Sequence, residues 1–427
     1  MKMDAVIIGA GLAGLTAAET LADAGLSVVV LERGDGPGTK NVTGGRFYVE
    51  PIRDLFPDWF PEAPFERPVT HEAWTVLNGD RSLKIDFQEG TDAAKPPRSY
   101  TVLRSVFDSW LGERVAAKGV FIIPEKVVTE YLKEGDRIAG VKVDGEEIPA
   151  EVVIACDGAL SFAGRAAGLR DVPEPHAVAV GVKEVLALPA GTIEDRFSLE
   201  AGEGAAELFV GDISGGMLGG GFIYTNRESL SLGLVLGVGG LTSGSGPKVP
   251  EMLEAFKAKP RLRALLKGAE LVEYSAHLIP EGGAAAVPRL VGDGILLAGD
   301  AAGLALNMGF TVRGMEFAVA SGRMAAEAVL SAREKGDYSA SSLMGYPAAL
   351  KASFVMKYME AYRSMPRILA NPDLYGRYPK ETLDLFSGLT ALGKDAPDRI
   401  SPRVWGFMRR NFLNFRDIGK LREIGKL

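Results

Sequence analysis

Asp4-Ala5-Val6-Ile7-Ile8-Gly9-Ala10-Gly11-Leu12-Ala13-Gly14 stands at the head of the chain and decides its fold. The apolar run Ala5 to Ile8 reads as a buried strand, the glycines as a tight turn, and Leu12 as the start of a helix. In such a turn the first glycine (Gly9) permits the tight bend. The second (Gly11) lets backbone approach a pyrophosphate, and the third (Gly14) lets the helix lie close to the strand. The free N–H groups of the first helical turn, at Leu12 and Ala13, add partial positive charge for a phosphate. A second strand, Val28-Val29-Val30-Leu31, ends in Glu32 and Arg33. Glu32 falls near the roughly 20-residue offset of the acid that binds a ribose hydroxyl. Glycines also end strands for structural reasons alone. Here strand, turn, helix, strand and acid follow in order, and that order predicts a dinucleotide site.

The first motif does not separate NAD from FAD. A second apolar strand, in Gly292-Asp293-Gly294-Ile295-Leu296-Leu297-Ala298-Gly299-Asp300-Ala301-Ala302-Gly303, ends in Gly-Asp before small residues and an expected helix. An aspartate there can hold ribityl hydroxyls, and the helix N-terminus can face a flavin pyrophosphate or ring carbonyl. The plainer reading is a strand-to-helix turn with Asp300 as N-cap. Together the two motifs predict FAD.

The remaining sequence bounds the class. With 427 residues, 47% of them hydrophobic and 24% charged, the chain has material for two or three packed domains. A net charge of −7 argues against a nucleic-acid binder. Strand residues begin almost at Met1, so no cleaved export signal is expected. The single cysteine, Cys156, excludes an internal disulfide and a self-contained iron–sulfur cluster. His71, His176 and His277 lack metal-ligand spacing and read as structural or surface histidines. The longest uncharged run, Ser229 to Pro247, is broken by glycines and suits a sheet strand better than a membrane span.

Three segments, 1–70, 100–170 and 289–335, are read as one discontinuous FAD-binding domain of Rossmann type. Segments 71–99 and 171–288 are read as an antiparallel-sheet domain for substrate or quinone. The segment 336–427 is read as helical with a basic tail. In the first, Gly44 and Gly45 allow a ring to approach the backbone, and Arg46 can face an anion or be a solvated loop residue. Arg104 opens a helix over Val106 to Lys118, where it can reach a pyrophosphate or merely cap the surface. Val127 begins a strand region beside it. Ile154-Ala155-Cys156-Asp157-Gly158 is a further strand end. Asp157 and Gly158 can brace the nucleotide, with Cys156 as a buried small hydrophobe. The sheet segment carries strands expected at Ala177 to Glu184, Asp195 to Leu199, Glu207 to Val210, Met217 to Thr225 and Leu230 to Val238. Backbone amides at Met308, Gly309 and Phe310 are expected at the flavin's pyrimidine edge, where they stabilise an anionic reduced ring. Gly221, Phe222 and Tyr224, with the glycine loop Gly282-Gly283, are candidates for a quinone head, or for ordinary sheet packing. The tail mixes Arg403, Arg409, Arg410, Arg416, Lys420, Arg422 and Lys426 with aromatic residues such as Trp405 and Phe412. It suits an anionic membrane, a partner, or packing on its own domain.

These motifs resemble those of the FixC proteins. The resemblance rests on Gly9 to Gly14, Lys40 to Arg46, the run from Leu103 to Asp108, Gly219 to Thr225, Tyr274 to His277 and Gly299 to Gly303, in order and at similar spacing over nearly the whole chain. FixC proteins are bacterial relatives of electron-transfer-flavoprotein:quinone oxidoreductase within the geranylgeranyl-reductase-like flavoprotein superfamily. The resemblance implies an FAD subunit working with an electron-transfer flavoprotein pair of FixA and FixB type and a ferredoxin-like iron–sulfur subunit of FixX type. It implies quinone as acceptor, possible electron bifurcation, and a cytoplasmic protein held peripherally at the inner face of the cell membrane. The longer single-chain oxidoreductases carry a cysteine-rich cluster domain, from which this one-cysteine chain departs. Three alternatives stay open: a prenyl reductase, an NAD(P)H-dependent hydroxylase, and a non-catalytic electron relay.

Overall fold

The computed structural model describes residues 2–40, 45–89, 95–242, 248–391 and 400–411. The first strand, Met3–Ile8, lies at the middle of a sheet with spatial order Val291–Gly292, Ile295–Leu297, Glu146–Ala155, Met3–Ile8, Val28–Leu31, Phe121–Ile123. Along this path all pairs are parallel except the outermost hairpin, Val291–Gly292 with Ile295–Leu297, while Val128–Glu134 and Arg137–Val143 branch off Glu146–Ala155 as an antiparallel pair. Central parallel strands are covered on both faces, which is why Ala5, Val6 and Ile7, or Val152, Val153 and Ile154, are apolar without alternation. The helix Leu12–Asp23 packs against the long helix Met315–Lys335. Gly322 permits that crossing: a Cβ there would stand 2.1 Å from the Ala13 carbonyl oxygen.

A second sheet of seven strands has the order Glu270–Pro280, Val178–Ala187, Ser229–Gly237, Gly219–Thr225, Gly204–Gly211, Val69–Asn78, Arg81–Gln88. It is antiparallel except for the parallel pair Gly204–Gly211 with Val69–Asn78. The Asn78-Gly79 hairpin forms as expected, with Gly79 at φ +60°. The expected strand at Asp195 to Leu199 does not form. Ala190–Phe197 is a helix there, because Ile193 and Phe197, four residues apart, bury one face while Asp195 and Arg196 stay outside it. The edge strand Glu270–Pro280 was not expected. Its outward Leu271, Val272 and Tyr274 blur the alternation that marks a strand.

The helix expected directly after Asp300 is also absent. Gly299–Ala302 is a single 3-10 turn, followed by the small hairpin Leu306–Asn307 and Val312–Arg313, and the long helix starts only at Met315. The chain then continues as helices, among them Met365–Leu369, Arg377–Thr390 and Ile400–Asn411. No described helix is long and apolar enough to cross a membrane. Gly44 lies outside the described residues, as do Asn41 to Thr43, the end of the Ser229 to Pro247 run and the tail beyond Asn411, Arg416 to Lys426 included. The side chains of Arg403 and Arg410 are likewise not described.

Candidate functional site

The parallel strands end together at one edge, and a cavity of ≈ 860 Å³ opens there. That is toward the upper end of the roughly 300–1,000 Å³ of ligand pockets. It passes from the glycine turn, beneath the second sheet, to the C-terminal helices.

At the turn, Gly9 sits at φ +103° with its Cα against the Cys156 carbonyl, which a Cβ would approach to 2.5 Å. Gly9, Gly11, Leu12 and Ala13 line the cavity. Gly14 does not; it lies behind them, where a Cβ would stand 2.0 Å from the Gly9 carbonyl oxygen. Glu32 also lines the cavity, and its carboxylate accepts N–H groups from Ala10 (2.8 Å) and Gly34 (2.7 Å). It thus ties the glycine turn to the end of the second strand at the edge of the cavity. Arg33, Lys40 and Arg104 bring positive charge to the same end. Arg104 is buried and paired bidentately with Asp108 one helical turn on (2.8 and 2.7 Å), so it is not the surface cap considered above. Its guanidinium is fixed in place before any ligand arrives.

Val127 borders the far side, and Cys156, Asp157 and Gly158 form the floor. Asp157 accepts from the Ser161 hydroxyl (3.0 Å) and the Ala163 N–H (2.8 Å), so its carboxylate caps the short helix Phe162–Ala166. Burial pushes the Cys156 thiol up, which leaves it protonated and poorly nucleophilic.

Gly299 and Asp300 stand opposite the first turn. Burial pushes the Asp300 carboxyl up to about 6, against the pull of Arg104 and Arg170. Arg170 is spent on the Asp300 and Ala301 carbonyl oxygens (3.1 and 2.7 Å). Among the described residues no hydrogen bond reaches the Asp300 carboxylate. Asp300 is half-buried and lines the cavity, so its carboxylate is an acceptor available to donors of a ligand. A polyhydroxylated chain meets that need. A cradle of close backbone, a helix N-terminus, cationic charge and a donor-poor carboxylate therefore fits FAD.

Beyond Asp300 the cavity broadens. Met308, Gly309 and Phe310 line it, with Asn307 and Arg313 beside them. Arg313 is pinned by Glu316 (2.5 Å) and lies over the Tyr358 ring at 4.0 Å. Gly45 and Arg46 line the opposite side. The Tyr224 ring occupies the space of a Gly45 side chain, 2.2 Å from where a Cβ would stand. Arg46 is no free loop cation: Glu72 holds it bidentately (2.9 and 2.6 Å) and it lies over Tyr48, so it too is fixed in the cavity wall. Gly221, Phe222 and Tyr224 line the roof, the two rings stacked at 5.0 Å. The far lobe is apolar: Val76, Leu208 and Leu218 from the sheet face Met365, Ile368 and Leu374 from the C-terminal region. Gly282 and Gly283 are not brought to the cavity. Gly282 abuts Ala286, and Gly283 sits under Pro366.

Several wall residues escaped the sequence reading. His277 lies in the wall, not in ordinary packing, and burial with neighbouring Arg104 and Arg33 pushes its ring down to about 4. The Tyr274 to His277 segment stood among the resemblance motifs without a role. Asn307, Arg313 and Tyr375 carry no local signal at all.

A family model described as FAD dependent oxidoreductase matches residues 4–168. The probable electron transfer flavoprotein-quinone oxidoreductase YdiS of Escherichia coli K12 is 43% identical over 409 residues, 96% of this chain and 95% of that protein. Protein FixC of Salmonella typhi is 43% identical over 417 residues, 97% of each chain. Among solved structures, a geranylgeranyl bacteriochlorophyll reductase-like protein from Thermoplasma acidophilum superposes with a TM-score of 0.73 over 99% of both chains, at 19% identity. That last likeness is one of fold.

Proposed function

Because the chain belongs to the FixC family of FAD-dependent electron-transfer oxidoreductases, we propose that it takes electrons from an electron-transfer flavoprotein of FixA and FixB type and delivers them to a quinone. FAD supplies the redox chemistry when bound; the chain's task is to hold it and shape what surrounds it. The observation that carries the quinone reading is the continuity of the cavity. One end is cationic and glycine-lined, and the other is an apolar lobe roofed by Phe222 and walled by Met365, Ile368 and Leu374. A quinone is a flat apolar ring with two carbonyls, and such a lobe with few polar groups suits it.

In this reading Gly9, Gly11 and the N–H groups at Leu12 and Ala13 approach the pyrophosphate, with Gly14 permitting the helix to come close. Glu32 takes the adenosine ribose, Arg33 and Arg104 the phosphate charge, and Asp300 the ribityl chain. The Met308, Gly309 and Phe310 backbone serves the ring. Gly45, Val127, Cys156, Asp157, Gly158 and Gly299 form the walls. A ferredoxin-like FixX-type subunit supplies the iron–sulfur centre that one cysteine cannot. Exposed Val404, Trp405 and Met408 on Ile400–Asn411 suit peripheral contact with the inner face of the cell membrane, where the quinone resides.

Replacing Asp300 by alanine should weaken FAD binding by about tenfold to a hundredfold, the 1.5–3 kcal/mol of hydrogen bonds to a charged group. Asp300→Asn, which keeps an acceptor oxygen, should lose less. Equilibrium dialysis of released flavin measures both, and full loading in the alanine variant would remove Asp300 from the site.

The functional test is anaerobic. The FAD-loaded chain is reduced, then mixed with a ubiquinone or menaquinone analogue while the flavin spectrum is followed. Rapid reoxidation is the expected result. A reduced flavin that ignores quinone but reacts with a prenyl lipid would replace this reading with a reductase.

A further inference from the structure

Glu281 follows the edge strand Glu270–Pro280 and is 7% exposed. It stands immediately behind the cavity wall. Asn307, which lines the cavity, directs its side-chain N–H toward Glu281 Oε1 at 3.5 Å. The Asn307 amide cannot turn freely, because its Oδ1 accepts the Gly309 N–H at 2.9 Å. Asn307 thus joins Glu281 to the Met308-Gly309-Phe310 backbone proposed to face the flavin ring. Tyr375, another wall residue, feels the Glu281 charge, and its own hydroxyl donates to the Leu369 carbonyl at 2.7 Å. Among the described residues no lysine or arginine forms an ion pair with Glu281. A carboxylate largely withdrawn from water and without a cation gains a proton readily when negative charge arrives nearby.

We propose that Glu281 is the proton-accepting acid of this site: it binds one proton from water as two electrons enter the cavity and releases it as they leave. It acts through Asn307, as a positioning residue that balances charge. The proposal rests on the reading that a bound flavin passes electrons to quinone. Reduction of a quinone to a quinol takes two electrons and two protons. One proton leaves with the electrons from the reduced flavin, and the other is the one released from Glu281.

The direction with pH follows from the resting carboxyl. Burial pushes it up to about 7, with the Asn307 contact offsetting part of that. Below that pH, Glu281 is protonated in both redox states and adds nothing. Above it, reduction draws in a proton, so the flavin potential should fall more steeply with pH than the flavin alone requires. The groups facing Glu281 do not mimic this. Asn307 does not titrate, and the Tyr375 hydroxyl is driven further up, by burial first and then by Glu281 itself.

The test compares FAD-loaded wild type with Glu281→Gln in spectroelectrochemical titrations from about pH 6 to 9. Above neutrality the wild type should show one extra proton per two electrons. That is a tenfold change in the reduction equilibrium per pH unit, about 30 mV for a two-electron couple. Glu281→Gln should lose this extra slope and keep its flavin. Parallel slopes in the two proteins would overturn the proposal. If the glutamine variant fails to load FAD, Glu281→Asp should keep the extra proton. The reduced-minus-oxidised infrared spectrum of the wild type should then show a protonated carboxyl gained on reduction, and its absence would be equally fatal. Quinone reoxidation is measured on the same samples. A wild type with the extra slope that no quinone reoxidises would sink the functional reading and leave the proton uptake standing.

Discussion

Replacing Gly14 by valine should leave a chain that purifies with almost no flavin. The reason is a single close approach. A Cβ at position 14 would stand 2.0 Å from the Gly9 carbonyl oxygen and 3.2 Å from the Ile7 side chain. The first obstacle is backbone and cannot rotate away. The helix Leu12–Asp23 would have to lift off the strand end, carrying the Leu12 and Ala13 N–H groups out of the cavity wall. It has no room to lift, because Met315–Lys335 lies across it so closely that a Cβ on Gly322 would stand 2.1 Å from the Ala13 carbonyl oxygen. The variant therefore either strains its core, at the roughly 1–3 kcal/mol or more typical of overpacking, or opens the turn proposed to meet the pyrophosphate. At about 1.4 kcal/mol per tenfold, either outcome should cut loading by about tenfold to a hundredfold if a closed turn is what binds the phosphates. Flavin per chain after denaturing release is the measurement. Gly191→Ala is the control, since a Cβ at Gly191 meets nothing within 4 Å. Normal loading of Gly14→Val would mean that the glycine turn is a strand end without a ligand.

The same geometry shows why this half of the molecule was legible in its sequence. Ala5 to Glu32 hold strand, turn, helix, strand and acid in one local run, and strand, turn and helix each leave a periodic mark, even though Gly9 and the first strand also meet the distant Glu146–Ala155 and Cys156. Asp300 was legible for the same reason, as a strand end, although the helix expected after it proved to be a 3-10 turn and a hairpin. Leu304, Ala305 and Leu306 are buried there without helical spacing.

The far lobe was not legible. Met365, Ile368 and Leu374 are ordinary apolar residues on short helices, and nothing local says that they face Val76 and Leu208. The setting of Arg46 was not legible either, because its partner, Glu72, lies 26 positions away in the seven-stranded sheet. Gly282 and Gly283 drew attention as a glycine pair, while the neighbouring Glu281 did not. An acid in a loop reads as solvated until burial is seen.

Arg67 carries no local signal either, and its replacement by leucine carries the second large effect, an expected loss of about 3 kcal/mol or more of folding stability. The side chain is 3% exposed. Its guanidinium donates to the carbonyl oxygens of Asn226 (2.7 Å), Arg227 (2.8 Å) and Glu203 (2.9 Å), and to the Glu194 carboxylate (2.8 Å). The Glu194 pair contributes little, because that carboxylate keeps water on one side. The three carbonyls decide the outcome. Each loses its donor in a place that leucine keeps dry, and an unsatisfied buried acceptor costs about 1–3 kcal/mol, less wherever water enters. Arg67→Lys should recover only part of the loss, since one ammonium cannot reproduce the planar fork. The damage should also be local in a telling way. Asn226 and Arg227 form the turn between Gly219–Thr225 and Ser229–Gly237, and the first of these strands carries Phe222 and Tyr224 over the cavity. Thr101, whose hydroxyl donates to the Thr225 carbonyl at 2.8 Å, anchors the same corner to the ribbon that bears Arg46. Loosening it should raise hydrogen exchange at 219–231 and speed flavin release, while the parallel sheet around Met3–Ile8 keeps its protection. Urea unfolding and peptide-resolved exchange separate these effects. A uniform rise in exchange across both sheets would mean that Arg67 supports the whole fold, not the roof of the site.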